Sequence, residues 1–390
     1  MTSVDVLVIG AGPAGSALAA ALARGGASVL LVEAGAHPRP KTCAEYASPR
    51  IVEELTRIGL ADGWTDAAVP LRGMDLHAGG RSMPIRYADR NGGREAWGVD
   101  RRKFDARLAA HAAGSGALLR DRTRLTDLVH ERGRVRGARL HDLRTGRDEA
   151  VSARWIVGAD GARSSVSRLL EVDRPVRFPR RLGLVAHYAG VQGLTVHGEM
   201  HVGPGYYVGL APTPGGELNV GMALPMRDGV GSARERFDAA IASMPAVARR
   251  LMESEPLTPI RGAAPIGHRV SSPAGDGWLL VGDAAGFVDP FTGEGIHRAL
   301  RSARAAATAI LDGGDVAARY RAERRRAFSA KTALSWLVQG FLATPPMLEH
   351  AVARLSTRPR AALRLGSAMG DCRPATDALS PSALFEMLAP

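Results

Sequence analysis

The chain opens with an apolar run, Val4 to Ile9, interrupted once by Asp5, that breaks abruptly into glycines. A run of this kind predicts a buried strand. The alanine-rich stretch that follows to Arg24 predicts a helix, which Gly25-Gly26 stops. A second apolar run, Val29 to Val32, predicts another strand ending at Glu33. Two later segments repeat the strand-to-glycine junction. Trp155-Ile156-Val157 runs into Gly158-Ala159-Asp160-Gly161 and a serine-rich helix start. Trp278-Leu279-Leu280-Val281 runs into Gly282-Asp283 and a glycine-rich turn that opens a helix at Gly293 to Ile296. Between these segments, Leu71 to Ala96 and Arg181 to Ala223 alternate polar and apolar positions with Gly/Pro turns, which predicts antiparallel strands. After Asp312-Gly313-Gly314 the pattern is helical to the end, with Leu355 to Leu365 and Ser382 to Leu388 as closing caps. No repeat or low-complexity segment interrupts it.

Composition adds constraints. A chain of 390 residues exceeds one ordinary core, so two lobes with an appendage are expected. The apolar fraction of 45% and the 46 glycines suit a loop-rich α/β protein. The cysteines are Cys43 and Cys372, without metal-type spacing, so neither a disulfide framework nor a metal site is expected, and a cytoplasmic location is. No leader is expected, because the first strand starts at Val4, and no apolar stretch of about 18 residues could span a membrane. The net charge of +12 comes from arginine, since Lys41, Lys103 and Lys331 are the lysines. Scattered arginines and 5% aromatics argue against nucleic-acid binding. The basic run Arg319 to Arg326 and the apolar cluster Trp336, Leu337, Val338, Phe341 and Leu342 leave two readings. They form helices packed on the lobes with arginines in solvent, or a basic amphipathic surface in peripheral contact with a membrane.

The first glycine turn, Gly10-Ala11-Gly12-Pro13-Ala14-Gly15, follows a strand, opens a helix and precedes Glu33 by 18 residues. That context marks a dinucleotide site. Gly10 permits the turn, Gly12 lets backbone approach a pyrophosphate, Gly15 lets the helix lie close to the sheet, and Glu33 would accept from a ribose diol. The other two junctions identify the dinucleotide as FAD. Asp283 can bind a sugar-alcohol hydroxyl, and the Gly293–Ile296 helix start can present N–H groups to a flavin pyrimidine edge.

With these motifs in view, the whole chain resembles the flavoprotein monooxygenases typified by p-hydroxybenzoate hydroxylase, and closest their geranylgeranyl-reductase-like branch. The resemblance implies an α/β fold in which a Rossmann-type FAD-binding domain is discontinuous, built from 1–70, 97–180 and 271–312. An antiparallel β-sheet substrate-binding domain takes 71–96 and 181–270, and 313–390 form a C-terminal helical extension. It implies that Gly10, Gly12, Ala14, Gly15 and Glu33 hold the ADP half of FAD and that Arg101, in Asp100-Arg101-Arg102-Lys103-Phe104-Asp105, contacts FAD. Asp160 and Gly161 would serve FAD and a passing NAD(P)H, for which the chain has no second Rossmann unit. Gly282 and Asp283 would meet the ribityl chain, and Gly293, Gly295 and Ile296 the flavin ring.

Departures from the family refine this picture. In Gly205-Tyr206-Tyr207-Val208-Gly209-Leu210-Ala211-Pro212, Tyr207 and Pro212 of the prenyl-contacting segment are kept, but its two large aromatics are Gly209 and Ala211. That predicts a reshaped pocket and a bulkier ligand than a prenyl chain. Cys43, in Lys41-Thr42-Cys43-Ala44-Glu45-Tyr46, is either a thiol beside the isoalloxazine or a small apolar filler. Glu45 and Tyr46 are candidate proton carriers or bonded loop residues, and Tyr207 completes the catalytic candidates. His197, Glu199 and His201 alternate along a strand, as pocket acid/base groups or a polar face, with a metal site disfavoured. His297 follows the last glycine turn and serves packing or chemistry. The halogenase motif Gly-x-Trp-x-x-Ile-Pro is absent. The leading expectation is a monooxygenase that uses O₂ on a hydrophobic small molecule. The alternative is a reductase of C=C bonds, and a non-catalytic flavin-binding protein is the third class.

Overall fold

The computed structural model describes residues 2–226 and 231–388. Residue 1, residues 227–230 and residues 389–390, in the predicted FAD-binding, substrate-binding and C-terminal segments respectively, lie outside the described residues. The apolar run at the start is the central strand, Thr2–Ile9. It pairs in parallel with Val29–Val32 on one side and Asp148–Gly158 on the other. Ser3 and Asp5 in its first half are exposed. From Val6 on, its side chains alternate between two cores, Val6 and Val8 on one face, Leu7 and Ile9 on the other, so that half is wholly apolar. Leu118–Arg120 extends the parallel set at one edge, and Trp278–Leu280 pairs in parallel with the end of Asp148–Gly158. The start of that 11-residue strand pairs instead with the hairpin Thr123–Glu131 and Arg134–Asp142. The helices Pro13–Arg24, Arg101–Gly114 and Gly295–Asp312 cover one face, the first and last meeting through alanines.

The second sheet runs Arg181–Ala189, Glu217–Pro225, Tyr206–Thr213 and Gly198–Gly203 in antiparallel order. Gly198–Gly203 then pairs in parallel with Met74–Ala78, a departure from the expected all-antiparallel pattern. The physical reason is the long passage of chain through the first sheet between these strands, which permits a parallel return that a hairpin cannot make. Two helices, Ala233–Ala242 and Pro245–Leu251, cover the outer face with Phe237 and Val247. The alternation pattern did not anticipate them, although Ser232 and Glu235 form a capping box that the sequence displays.

The inner face of this sheet carries Leu76, Met83 and Ile85, packed against Leu334, Phe341 and Leu348 of the C-terminal helices. Val316–Ala343 is the longest helix, and Pro345 starts the next at the break the sequence marks. Phe341 and Leu342 are buried, whereas Trp336 is exposed and stacks on Phe178. Most of the apolar cluster is therefore core. Within the basic run, Arg321 and Arg324 donate to the carbonyls of Ala274 and Ala285 in the first lobe. Among the described residues, no helix is long and apolar enough to cross a membrane.

Candidate functional site

The carboxyl ends of the parallel strands open into a cavity of about 650 Å³ between the two sheets. Its first-lobe wall includes Gly12, Ala14, Asp160, Gly161, Gly282, Asp283, Gly293, Gly295 and Ile296, while Met200, Tyr207, Gly209, Ala211 and Gly221 come from the second sheet. Ligands bind at this position in doubly wound folds.

Close packing fixes the nucleotide end. Gly10 has φ 105°, and a Cβ there would lie 2.6 Å from the Ala159 carbonyl oxygen. A Cβ on Gly15 would lie 1.9 Å from the Gly10 carbonyl oxygen, so helix and turn touch through backbone. Neither glycine lines the cavity; they shape it. Gly12, the N-cap of Pro13–Arg24, leaves the first N–H groups of that helix without a side-chain cap. Glu33 is buried and accepts from the Ala11 N–H (3.1 Å), the Gly35 N–H (3.0 Å) and Arg39 Nε (2.9 Å). Burial opposes its charge, but Arg39, the Gly35 N–H and Lys41 outweigh it and hold the carboxyl below its ordinary range. Arg101 is buried in a bidentate pair with Asp105 at 2.9 and 2.8 Å, and its guanidinium faces the Cys43 thiol.

At the other end, the Asp160 carboxylate caps the following helix start, Oδ2 accepting from the Ser165 N–H and hydroxyl at 2.6 Å each. Its Oδ1 is buried without a partner. Asp283 enters the cavity with no hydrogen-bond donor among the described residues, and burial pushes its carboxyl up against the pull of Arg298, Arg101 and Lys41. Gly293 has φ 66° and packs on the Tyr46 ring, while a Cβ on Gly295 would meet open space. Tyr46 lines the cavity with its ring but shares its hydroxyl with Tyr87 at 2.8 Å; burial and Tyr87 push the phenol well above its ordinary range. Tyr207 donates to Asp289 Oδ1 at 2.6 Å, and its phenol is likewise pushed up by burial and Asp289.

Cys43 and Glu45 also line the cavity. The Glu45 N–H lies 3.4 Å from Cys43 Sγ, and the Cys43 carbonyl accepts from Asn219 Nδ2 at 3.0 Å. His297 stands behind the flavin turn, 3.0 Å from Asp371, which Lys331 also binds at 3.1 Å. Of the alternating strand trio, Glu199 and His201 do meet, at 3.0 Å, but His197 turns to Asp75. The third member is His77, stacked on His201 with ring centroids 4.4 Å apart. Ligand atoms of His77, Glu199 and His201 lie within 4.8 Å of one another, yet Glu199 already carries Arg250 as counter-charge.

The unpartnered groups test the fit to FAD. Lys41, on the loop of Cys43, is a site residue that the motifs do not single out. A Cβ on Gly12 would lie 3.1 Å from its ammonium, which has no hydrogen-bond acceptor among the described residues. A free ammonium at a glycine cradle suits a pyrophosphate; free carboxylate oxygens on Asp160 and Asp283 suit hydroxyl donors; open space at Gly295 suits a planar ring. The residues fit. The expected loss of walls at Gly209 and Ala211 is offset in part, because Met200 Cε lies 3.6 Å from where a Gly209 Cβ would be.

Known proteins agree with this geometry. A family described as FAD binding domain matches residues 3–330. The chain is 33% identical over 329 residues to a menaquinone reductase of Mycolicibacterium smegmatis, covering 80% of this chain and 78% of that one. It is 32% identical over 322 residues to a digeranylgeranylglycerophospholipid reductase of Methanosarcina acetivorans, covering 80% and 77%. A solved flavoprotein/dehydrogenase from Cytophaga hutchinsonii superposes with a TM-score of 0.84 at 24% identity, over 94% of this chain and 92% of that one. A flavin-dependent brominase superposes with a TM-score of 0.83 at 22% identity, over 99% of each chain. The protein belongs to the FAD-binding-domain family, within the geranylgeranyl-reductase-like branch of the p-hydroxybenzoate hydroxylase-like flavoproteins. It is an FAD-dependent oxidoreductase.

Proposed function

We propose that this protein reduces carbon–carbon double bonds in a lipophilic, isoprenoid-type substrate, with NAD(P)H recharging the flavin. The observation that carries this reading is similarity across four-fifths of the chain to two reductases, named for a menaquinone and for a digeranylgeranyl lipid. It displaces the monooxygenase expectation, which drew on the wider superfamily, and likeness to the brominase speaks for fold alone. Bound and reduced, FAD supplies a hydride. The chain supplies the rest. Lys41 and the free N–H groups after Gly12 hold the pyrophosphate, Asp283 the ribityl hydroxyls, and the helix start at Gly293–Ile296 the pyrimidine edge. Met200, Tyr207 and Ala211 give the substrate an apolar wall, and Glu45 lines the same cavity.

Holoenzyme reduced by dithionite without oxygen, then mixed with a geranylgeranyl-bearing lipid or a menaquinone, tests the reading. The flavin absorbance is expected to return, with the lipid gaining two hydrogens by mass spectrometry. A lipid left unchanged until air is admitted, and then gaining oxygen, would reinstate the monooxygenase.

A further inference from the structure

We propose that Glu45 and His187 form a proton relay across the two lobes, carrying the proton of the reduction from solvent to the substrate. The proposal rests on the double-bond reductase reading. Glu45 is a non-glycine residue at φ 54°, in the left-handed region that L side chains avoid. Glu45 is buried, and it lines the cavity together with Cys43. Oε1 accepts from the Arg101 N–H at 3.1 Å, and Oε2 lies 2.7 Å from His187 Nε2. Glu45 belongs to the first lobe's loop, His187 to the strand Arg181–Ala189 of the second sheet. The His187 side chain is 19% exposed against 6% for Glu45, so the pair leads from solvent inward. On its outer side, His187 Nδ1 lies 3.3 Å from the Thr258 hydroxyl.

Asn219 makes the pair bistable. Its Nδ2 donates to the Cys43 carbonyl at 3.0 Å, which fixes the amide's orientation, and the same nitrogen lies 3.1 Å from His187 Nε2. His187 Nε2 therefore faces an acceptor and a donor at once. With the proton on Nε2, it donates to the Glu45 carboxylate. With the proton on Oε2, Nε2 is a free acceptor for Asn219 or the carboxyl. Both arrangements use the same heavy-atom positions, which is what transfer without rearrangement requires. The other charges facing His187 are Glu217 and Asp100, both of which favour its cation, while the Arg101 guanidinium is committed to Asp105. The Glu45 hydrogen bond is the largest cause raising the His187 imidazole above its ordinary range, with burial opposing.

The step balances. Bound reduced FAD would supply a hydride, with its electron pair, to one alkene carbon. The Glu45 O–H bond breaks as a C–H bond forms at the other carbon. The Glu45 carboxylate recovers its proton from His187 Nε2, and His187 recovers one from hydronium or buffer acid in the solvent. A dihydronicotinamide or dithionite restores the reduced flavin.

The test uses holoenzyme with Glu45→Gln and His187→Ala. Both variants are expected to keep bound FAD and its reduction rate by dithionite. Reoxidation of the flavin by a geranylgeranyl-bearing lipid is expected to slow by about 10²-fold. Added imidazole is expected to restore His187→Ala but not Glu45→Gln, an outcome that a merely structural latch between lobes would not give. Reoxidation by the lipid within about twofold of wild type in both variants overturns the relay and leaves the reductase reading standing. Wild-type holoenzyme inert toward the lipid overturns the reductase reading instead. Should either variant fail to fold, the ¹⁵N signals of His187 in wild type decide. They are expected to titrate, with the imidazole above its ordinary range, and a ring locked in one protonation state throughout overturns the relay.

Discussion

Lys41 carries the most consequence of any single residue here, because its cost and its use lie in different states. It is a partly buried cation facing two others, Arg101 and Arg39, with Asp105 and Glu33 as its counter-charges. Burial is the largest of these influences and pulls the ammonium below its ordinary range. A pyrophosphate would supply the missing partner. Lys41→Met is therefore expected to act with opposite signs on two measurements. Flavin affinity should fall about 10- to 100-fold, read by absorbance titration of the apoprotein with FAD, as for loss of a charged hydrogen bond. The apoprotein should gain about 1 kcal/mol in urea unfolding, since a desolvated charge has gone. A variant that loses stability while binding FAD as before would remove Lys41 from the phosphate site. The glycines around it were legible because backbone contact admits no substitute: a Cβ on Gly15 would sit 1.9 Å from a carbonyl oxygen. Lys41 was not, because a lysine in a loop carries no sign of what its ammonium will meet.

Strand pairing explains which clusters the sequence can foretell. Within Gly198–Gly203, residues 199 and 201 share a face by the period of a strand, and Glu199 and His201 do meet. The third member depended on register between distant segments. His77 stands directly across from His201 in the parallel pair with Met74–Ala78, whereas His197 precedes the strand. No local pattern specifies that pairing. The helix Pro245–Leu251 then brings Arg250 onto Glu199, tying strand to helix on the outer face of the sheet. Burial works against the Glu199 charge, but His201 and Arg250 outweigh it and hold the carboxyl at about 2, below its ordinary 4.5. A depressed carboxyl contributes stability above its unfolded value and loses it as pH falls through the folded one. Glu199→Gln should thus be less stable than wild type at neutral pH, and the gap should close between 4.5 and about 2. Thermal unfolding across that window checks this; a gap independent of pH would mean the loss comes from packing.

At the scale of the whole molecule, the layered plan followed from three strand-to-glycine junctions, since each needs a parallel strand, a turn and a helix in fixed sequence. How the lobes and the C-terminal helices lock together did not, because the lock is a buried polar cluster assembled from four remote segments. Asp289, in the turn before the flavin helix, binds Arg181 at 2.5 Å and Tyr207 at 2.6 Å, both from the second sheet. Arg181 reaches on to Gln339 in Val316–Ala343 at 2.6 Å and lies over the Tyr207 ring. Arg181 and Asp289 are both buried, so their attraction is set against a large desolvation cost, and removing one partner strands the other. Arg181→Met keeps much of the apolar stem but leaves Asp289 with the Tyr207 hydroxyl and the Phe291 N–H alone. The expected cost is about 3–5 kcal/mol in urea unfolding. Because the same ion pair joins the flavin turn, the sheet and the C-terminal helix, the loss should fall on all three together. Flavin release and loss of far-UV ellipticity should keep a shared midpoint at lower denaturant, as for one cooperative unit. A variant in which flavin leaves well before the helices unfold would show that the parts are held by apolar packing, with the ion pair serving the turn alone.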